Sequence, residues 1–293
     1  MTSPIVSVLL PVYNTPEQSL RECIDGILNQ TFSDFELIIV NDCSPDENVE
    51  RIVKTYTDER IRYYKNEKNL GISDTRNRLI ELANGKYLAV HDHDDISLPQ
   101  RFEKQVAYLD SHPNTGLVSC QVEIFPNLSY PQNPVENHDI KLEMIGHCCM
   151  FHSACMIRKS VLDENHLRYE SEFTPAEDYA LYCRLLKKTD FYNLPEILFR
   201  YRDDGKNTSH SQDNKMFYST CAIKAFTKIE APDLVAEFDA RSIKIKKYRL
   251  FGFLPILKII DFDFESKILL FGKIPLLTIK KFQKFTKKIH LNA

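Results

Sequence analysis

The chain has 293 residues, 43% apolar and 27% charged, without a low-complexity tract, so it can build one large domain or a domain with an appendage. The composition excludes a collagen-like, disordered or disulfide-framework protein, and the first apolar run, Ile5 to Val12, is too short for a membrane span and lacks the basic lead-in of a secretory leader. The net charge of −3 hides an asymmetry, because residues 241–293 hold 13 basic and 3 acidic side chains and leave 25 basic and 38 acidic ones in 1–240.

Short β-rich runs and helical patterns alternate over residues 1–110. Strands are expected at Ile5–Pro11, Phe35–Val40, Ile61–Tyr64 and Tyr87–His91. Between them, Leu20, Cys23, Ile24, Ile27 and Leu28 keep helical spacing, and further helices are expected over Asn48–Tyr56 and Ser73–Ala83. A fourth helix follows Pro99, with Phe102, Val106 and Leu109 on one face. This order predicts an α/β protein with a mostly parallel, Rossmann-like sheet flanked by helices. Residues 111–150, with Pro113, Pro126, Pro131 and Pro134, read as a strand near Leu117–Phe125 and then a long irregular loop. A helix over Asp178–Lys187 carries Leu181, Tyr182, Leu185 and Leu186 on one stripe, and Asp178, three residues before Leu181, faces the same way. A carboxylate there is expected to line a cleft.

The eight cysteines, at 23, 43, 120, 148, 149, 155, 183 and 221, form no regular framework and read as the reduced thiols of a cytosolic protein. Toward the C-terminus, KKYRLFGFLPILKI (246–259) matches SKILLFGKIPLLTI (266–279) at seven of fourteen positions. Each copy reads as two β-runs around a Gly-to-Pro turn, together a small basic sheet-like appendage over 241–293. The following KKFQKFTKKIH interleaves bases with aromatics, which suits the anionic inner face of a cell membrane better than nucleic acid. A solvated basic surface or a dimer contact would produce the same pattern.

In an open parallel sheet, ligands bind beyond the carboxyl ends of the strands. Pro11-Val12-Tyr13-Asn14 follows the first strand, Asn41-Asp42-Cys43-Ser44 the second and His91-Asp92-His93-Asp94-Asp95 the fourth. These loops open an aromatic, an amide and several carboxylates onto one rim. The Asp-x-Asp of Asp92 and Asp94 suits a hard divalent cation, Mn²⁺ or Mg²⁺, that bridges protein carboxylates to substrate phosphates, and Asp95 is the member nearer the next helix. Arg76 and Arg78, after Asn69-Leu70-Gly71, stand where a cation could pair with a diphosphate. Neither Gly-x-Gly-x-x-Gly nor a Walker loop occurs.

Taken together, LLPVYN, IIVNDCSPD, NLGISDTRNRLIELANGKYLAVHDHDD and AEDYALYCRL resemble family 2 glycosyltransferases of the GT-A fold, in matching order over about residues 4–210. The resemblance implies a nucleotide-binding half over 1–110 and an acceptor and catalytic half over 111–240. It implies inverting, metal-dependent transfer of a hexosyl or N-acetylhexosaminyl group from a nucleotide-diphosphate sugar, expected to be a UDP-sugar. The acceptor would be a hydroxyl of a growing glycan or lipid-linked glycan, such as lipopolysaccharide or capsule. Residue by residue, it implies base contacts from Pro11, Val12 and Tyr13, with Asn14 and Asn69 beside them. Asp42 would hydrogen-bond uracil, and Arg76 would lie near the diphosphate with Asp92 and His93. Asp94 would be the direct metal ligand with Asp92, and Asp178 in the Glu177-Asp178 pair the general base.

The sequence departs from the family pattern at His91 and His93, and Tyr201-Arg202 is followed by Asp203-Asp204, so that the nearest histidine is His210. Glu177, His152 and His210 are further pocket candidates. The stretch from His147 to Cys155 holds five zinc-capable side chains at a spacing that fits no standard zinc site. Two other readings share these features: a sugar nucleotidyltransferase, which would need a Gly-rich phosphate loop, and a non-catalytic sugar-nucleotide-binding scaffold.

Overall fold

The computed structural model describes residues 3–203, 205, 213–242, 244–250, 254–261, 265–270 and 274–280. They form two compact units, Met1–Ala231 and Pro232–Ala293. The first half of the larger unit runs β1 (Val6–Val12), α1 (Glu17–Leu28), β2 (Phe35–Asn41), α2 (Asn48–Val53), β3 (Ile61–Lys65), α3 (Ile72–Leu82) and β4 (Tyr87–Val90). It continues through β5 (Ile96–Ser97), α4 (Arg101–Ser111), β6 (Thr115–Phe125), α5 (Asn137–Gly146), β7 (Met156–Arg158), α6 (Lys159–Glu164), α7 (Glu177–Leu185), β8 (Asp190–Arg202) and α8 (Asp213–Glu230).

These strands form one eight-stranded sheet in the order β3-β2-β1-β4-β7-β6-β8-β5. β1 to β4, β6 and β8 point the same way, while β7 and β5 run against them. Every residue of β1 and β2 is buried, because helices cover both faces of a parallel sheet and its strands must be apolar on both sides. Leu20, Cys23, Ile24 and Ile27 of α1 pack into the same core.

A proline inside a central strand would normally remove a ladder bond. Pro11 pairs with Val40 of β2, but the β1–β4 ladder stops at Leu9, opposite Val90. Leu9 O accepts from the amide of His91, so residues 9 and 11 both turn their backbone groups toward β4. At Pro11 that neighbour has already ended. The missing N–H therefore costs nothing, and the sheet parts here to make the floor of a cleft.

The expected strands are found to within two residues at each end. Helix α2 ends at Val53, and the turn to Tyr56 tightens into i to i−3 bonds, Thr55 N to Ile52 O and Tyr56 N to Val53 O. The long loop expected up to residue 150 is corrected by α5, which buries Ile140, Leu142, Met144 and Ile145. Its apolar positions do not follow one helical stripe, so the pattern alone could not reveal it.

The smaller unit holds α9 (Pro232–Ser242) and an antiparallel sheet of β9 (Lys244–Leu250), β10 (Leu254–Asp261), β11 (Glu265–Leu270) and β12 (Ile274–Lys280), ordered β12-β11-β10-β9. The two repeat copies form equivalent hairpins, closed by Leu250 opposite Leu254 and by Leu270 opposite Ile274. His210 and residues 281–290 lie outside the described residues.

Candidate active site

The cleft begins where β1 and β2 end. Pro11 and Val12 are buried, while the Tyr13 ring stands 46% exposed on the rim. Asn14, in the left-handed region at φ 48°, donates its amide to Ser44 Oγ at 3.0 Å and so ties the two strand ends together. Asp42 is buried at the end of β2. Its Oδ1 accepts from the Leu70 amide at 2.8 Å and Asn66 Nδ2 at 2.6 Å, and its Oδ2 accepts from the Gly71 amide at 2.9 Å. Asn69 Nδ2 donates to the Asp42 carbonyl at 3.2 Å. Gly71, at φ 83°, supplies the left-handed turn that lets two successive amides converge on one carboxylate.

Asp42→Ala would leave those donors facing a void. It is expected to destabilise the fold by about 2–4 kcal/mol and to speed amide exchange at Leu70 and Gly71, measured by urea unfolding and hydrogen exchange. Unchanged exchange at both amides would show that the turn holds itself.

Helix α3 follows this turn and carries both arginines. Arg78 turns away, to the Lys65 carbonyl at 3.3 Å and to Asn66 Oδ1, orienting the amide that serves Asp42. Arg76 is buried and reaches across the cleft. Its Nη2 donates to Asp92 Oδ1 at 2.8 Å and its Nη1 to Glu177 Oε1 at 2.6 Å, while its guanidinium stands 5.6 Å from the Tyr169 ring centroid. Burial opposes the charge of Arg76, but the carboxylates of Asp92 and then Glu177 outweigh it and raise the pKa. The same guanidinium pulls the Asp92 pKa down against the effect of burial. One cation thus joins the loop after β4 to the head of α7.

The three carboxylates of that loop sit in three environments. Asp92 is held by Arg76. Among the described residues the Asp94 carboxylate is hydrogen-bonded to its own backbone amide alone, and burial, with Asp92 beside it, raises its pKa against the pull of His93 and Arg202. Asp95 is buried, accepting from Ser153 Oγ at 2.6 Å and the Arg202 amide at 2.8 Å, so it pins the loop to the end of β8 instead of facing the cleft.

Asp178, at the start of α7, accepts from the Tyr179 amide at 2.7 Å. Burial first and the Glu177 carboxylate second push its pKa up to about 7, against the pull of Arg76. His152 is buried, with Nδ1 2.6 Å from the Tyr182 hydroxyl and Nε2 3.2 Å from that of Tyr169. Burial and Arg76 hold its pKa well below the usual value, so it is a neutral wall group with both nitrogens occupied.

His91 is fully buried against Phe199, at 5.1 Å between ring centroids. Arg101 Nη1 donates to Ser97 Oγ at 2.9 Å, and the Ser97 hydroxyl is free to give its proton to His91 Nε2, 3.0 Å away. Nδ1–H then donates to the Asp92 carbonyl at 2.7 Å. This arrangement suits the neutral imidazole, since burial, with Arg101 nearby, pushes its pKa down to about 3. His91 therefore orients the Asp92 backbone from the core.

Only four buried side-chain polar atoms lack a partner among the described residues, and three of them lie here: Arg76 Nε, Glu177 Oε2 and His93 Nδ1. Buried polar groups are normally paired, so this cluster marks a place that bound molecules complete. Asp94 and Asp92 offer hard oxygen donors that fit Mn²⁺ or Mg²⁺. Among the described residues no group of three His, Cys, Asp or Glu converges for a metal, so the remaining positions would fall to phosphate oxygens and water.

Sequence reasoning missed Asn66, Ser153 and the Tyr169–Tyr182 clamp, ordinary residue types whose roles exist only through contacts distant in sequence.

The family model "Glycosyl transferase family 2" matches residues 7–166. An uncharacterized glycosyltransferase of Methanocaldococcus jannaschii is 32% identical over 237 residues, which are 78% of this chain and 81% of that protein. S. aureus TarS in complex with UDP aligns with a TM-score of 0.64 at 19% identity, over 80% of this chain and 70% of that one. The mannosyltransferase PcManGT from Pyrobaculum calidifontis, in complex with GDP-Man and Mn²⁺, aligns with a TM-score of 0.59 at 16% identity, over 81% and 70%.

Proposed function

Because the chain belongs to glycosyl transferase family 2 and has the GT-A fold, we propose that it moves a sugar, with inversion, from a nucleotide-diphosphate sugar to an acceptor hydroxyl. The observation that carries this reading is the Asp92–Arg76–Glu177 bridge, which joins the loop that holds Asp94 to the head of α7, where Asp178 has a raised pKa. The UDP bound to TarS and the GDP-Man and Mn²⁺ bound to PcManGT support a nucleotide-sugar donor and a divalent cation.

In this reading the exposed Tyr13 ring stacks on the base, and Asp42, with Asn14 and Asn69 beside it, meets the base edge. Asp94 and Asp92 hold Mn²⁺ or Mg²⁺, which when bound neutralises charge on the nucleoside diphosphate. Arg76 Nε and His93 Nδ1 find partners on the donor. Asp178 takes the acceptor hydroxyl proton as that oxygen bonds to the anomeric carbon. The bond from that carbon to the diphosphate breaks, and its electron pair leaves with the diphosphate. A single displacement by one base gives inversion. We place the enzyme at the inner face of the cell membrane, its basic 241–293 segment against anionic lipid, where a lipid-linked glycan acceptor is at hand. No helix among the described residues is long and apolar enough to cross a membrane.

The test is incubation with a panel of UDP- and GDP-sugars and Mn²⁺, following nucleoside diphosphate release. Release with one donor above the others is expected, and none with any donor favours a binding scaffold. The pKa of Asp178 sets the pH dependence. The base works only deprotonated, so kcat/KM should be level above about pH 7 and fall about tenfold per pH unit below it. A profile still level at pH 5 would exclude Asp178 as the base.

A further inference from the structure

Helix α8 packs on the larger unit through one face. Ile223 and Thr227 are buried, Phe226 meets Phe173 at 5.6 Å between ring centroids, and Glu230 pairs with Arg184. Within the larger unit the opposite face is exposed and mainly apolar, with Asn214 as its polar member near the start of the helix. Phe217 is 55% exposed, Tyr218 72% and Ile229 80%, and Cys221, Ala222 and Ala225 are exposed between them. At 100° per residue Tyr218, Ala222, Ala225 and Ile229 form a narrow stripe, with Cys221 and Phe217 on one side. Exposed lysines border it, Lys215 on the Ala222 side and Lys228 on the Phe217 side.

We propose that the outward face of α8 is a membrane-contact surface that lies on an anionic lipid bilayer. An aromatic and aliphatic stripe edged by lysines is the pattern of a helix lying in the interface, its apolar side chains among the acyl chains and its ammonium groups at the phosphates. Charge selects this partner over a second copy. Residues 1–240 carry 38 acidic side chains against 25 basic ones, yet no carboxylate stands among the outward residues of the stripe. Two such faces pressed together would bring lysines to an apolar surface with no carboxylate to receive them, whereas lipid phosphate receives them directly. None of its residues belongs to the 241–293 segment, and the inference does not depend on the sugar donor.

The chain contains no tryptophan, so Tyr218→Trp in the full-length protein is a single reporter placed in the stripe. With vesicles of phosphatidylglycerol and phosphatidylcholine its emission should shift to the blue. The triple variant Phe217→Ser/Tyr218→Ser/Ile229→Ser should lower vesicle partition about tenfold or more with an unchanged melting curve. Lys215→Gln/Lys228→Gln should lose about tenfold on anionic vesicles and little on pure phosphatidylcholine. If the triple variant folds poorly, Ile229→Asp alone, at a position already in solvent, should show the same loss. Unshifted emission beside vesicles, or partition unchanged in these variants, overturns the proposal. So does a solution dimer that the triple variant splits, which would make the face a contact between copies.

Discussion

Asp178→Asn is expected to cut sugar transfer by about 10³-fold while donor affinity stays within about twofold of the original. Asparagine has nearly the same shape, and its carbonyl can still accept from the Tyr179 amide, which the carboxylate now does at 2.7 Å. What it loses is the capacity to take a proton. The carboxylate holds its charge reluctantly, with burial and Glu177 pushing its pKa up to about 7, so a neutral amide should not lower the melting temperature. Glu177 is the neighbouring alternative, but its Oε1 is bound to Arg76 at 2.6 Å and the residue is more deeply buried, so in the proposed reaction it positions the arginine and Asp178 takes the proton. Donor titration calorimetry alongside single-turnover transfer separates the two effects. A parallel loss of binding and transfer would move Asp178 into the donor site.

The strand half of the fold was legible because parallel strands buried on both faces leave continuous apolar runs such as Val6–Val12 and Phe35–Asn41. Helix α5 was not, since its buried Ile140 and Leu142 stand two apart and mimic a strand. Strand β8 was not read either: Pro195, Glu196 and Ile197 are exposed in its middle, where its register with β6 shifts. At the site, the acidic density of residues 91–95 was visible, and so was the odd placement of Asp178. Which carboxylate faces what was not. Nothing in His-Asp-His-Asp-Asp says that the first histidine belongs to the core, that one aspartate holds Arg76 and that the last pins Arg202. Those assignments come from Ser97, Ser153, Arg101 and Glu177, at sequence distances no local pattern encodes.

That division among neighbouring carboxylates yields the second large effect. Asp94→Asn is expected to weaken Mn²⁺ binding in the presence of UDP by on the order of a hundredfold or more, and transfer with it, while the melting temperature stays level. Among the described residues the side chain is hydrogen-bonded to its own backbone amide alone, a bond that the asparagine oxygen can keep. Asp95→Ala should do the reverse. Its two oxygens receive Ser153 Oγ and the Arg202 amide, one each, so their loss should destabilise the protein by about 2–4 kcal/mol and leave Mn²⁺ affinity of the folded fraction nearly unchanged. Water-proton relaxation of Mn²⁺ with UDP, paired with urea unfolding, reads both quantities in each variant. If Asp94→Asn still binds Mn²⁺ at full strength, the cation sits elsewhere and the Asp-x-Asp is no more than a solvated turn. If Asp95→Ala instead loses the metal, the inner carboxylate is the ligand, and the loop must turn over when the donor arrives.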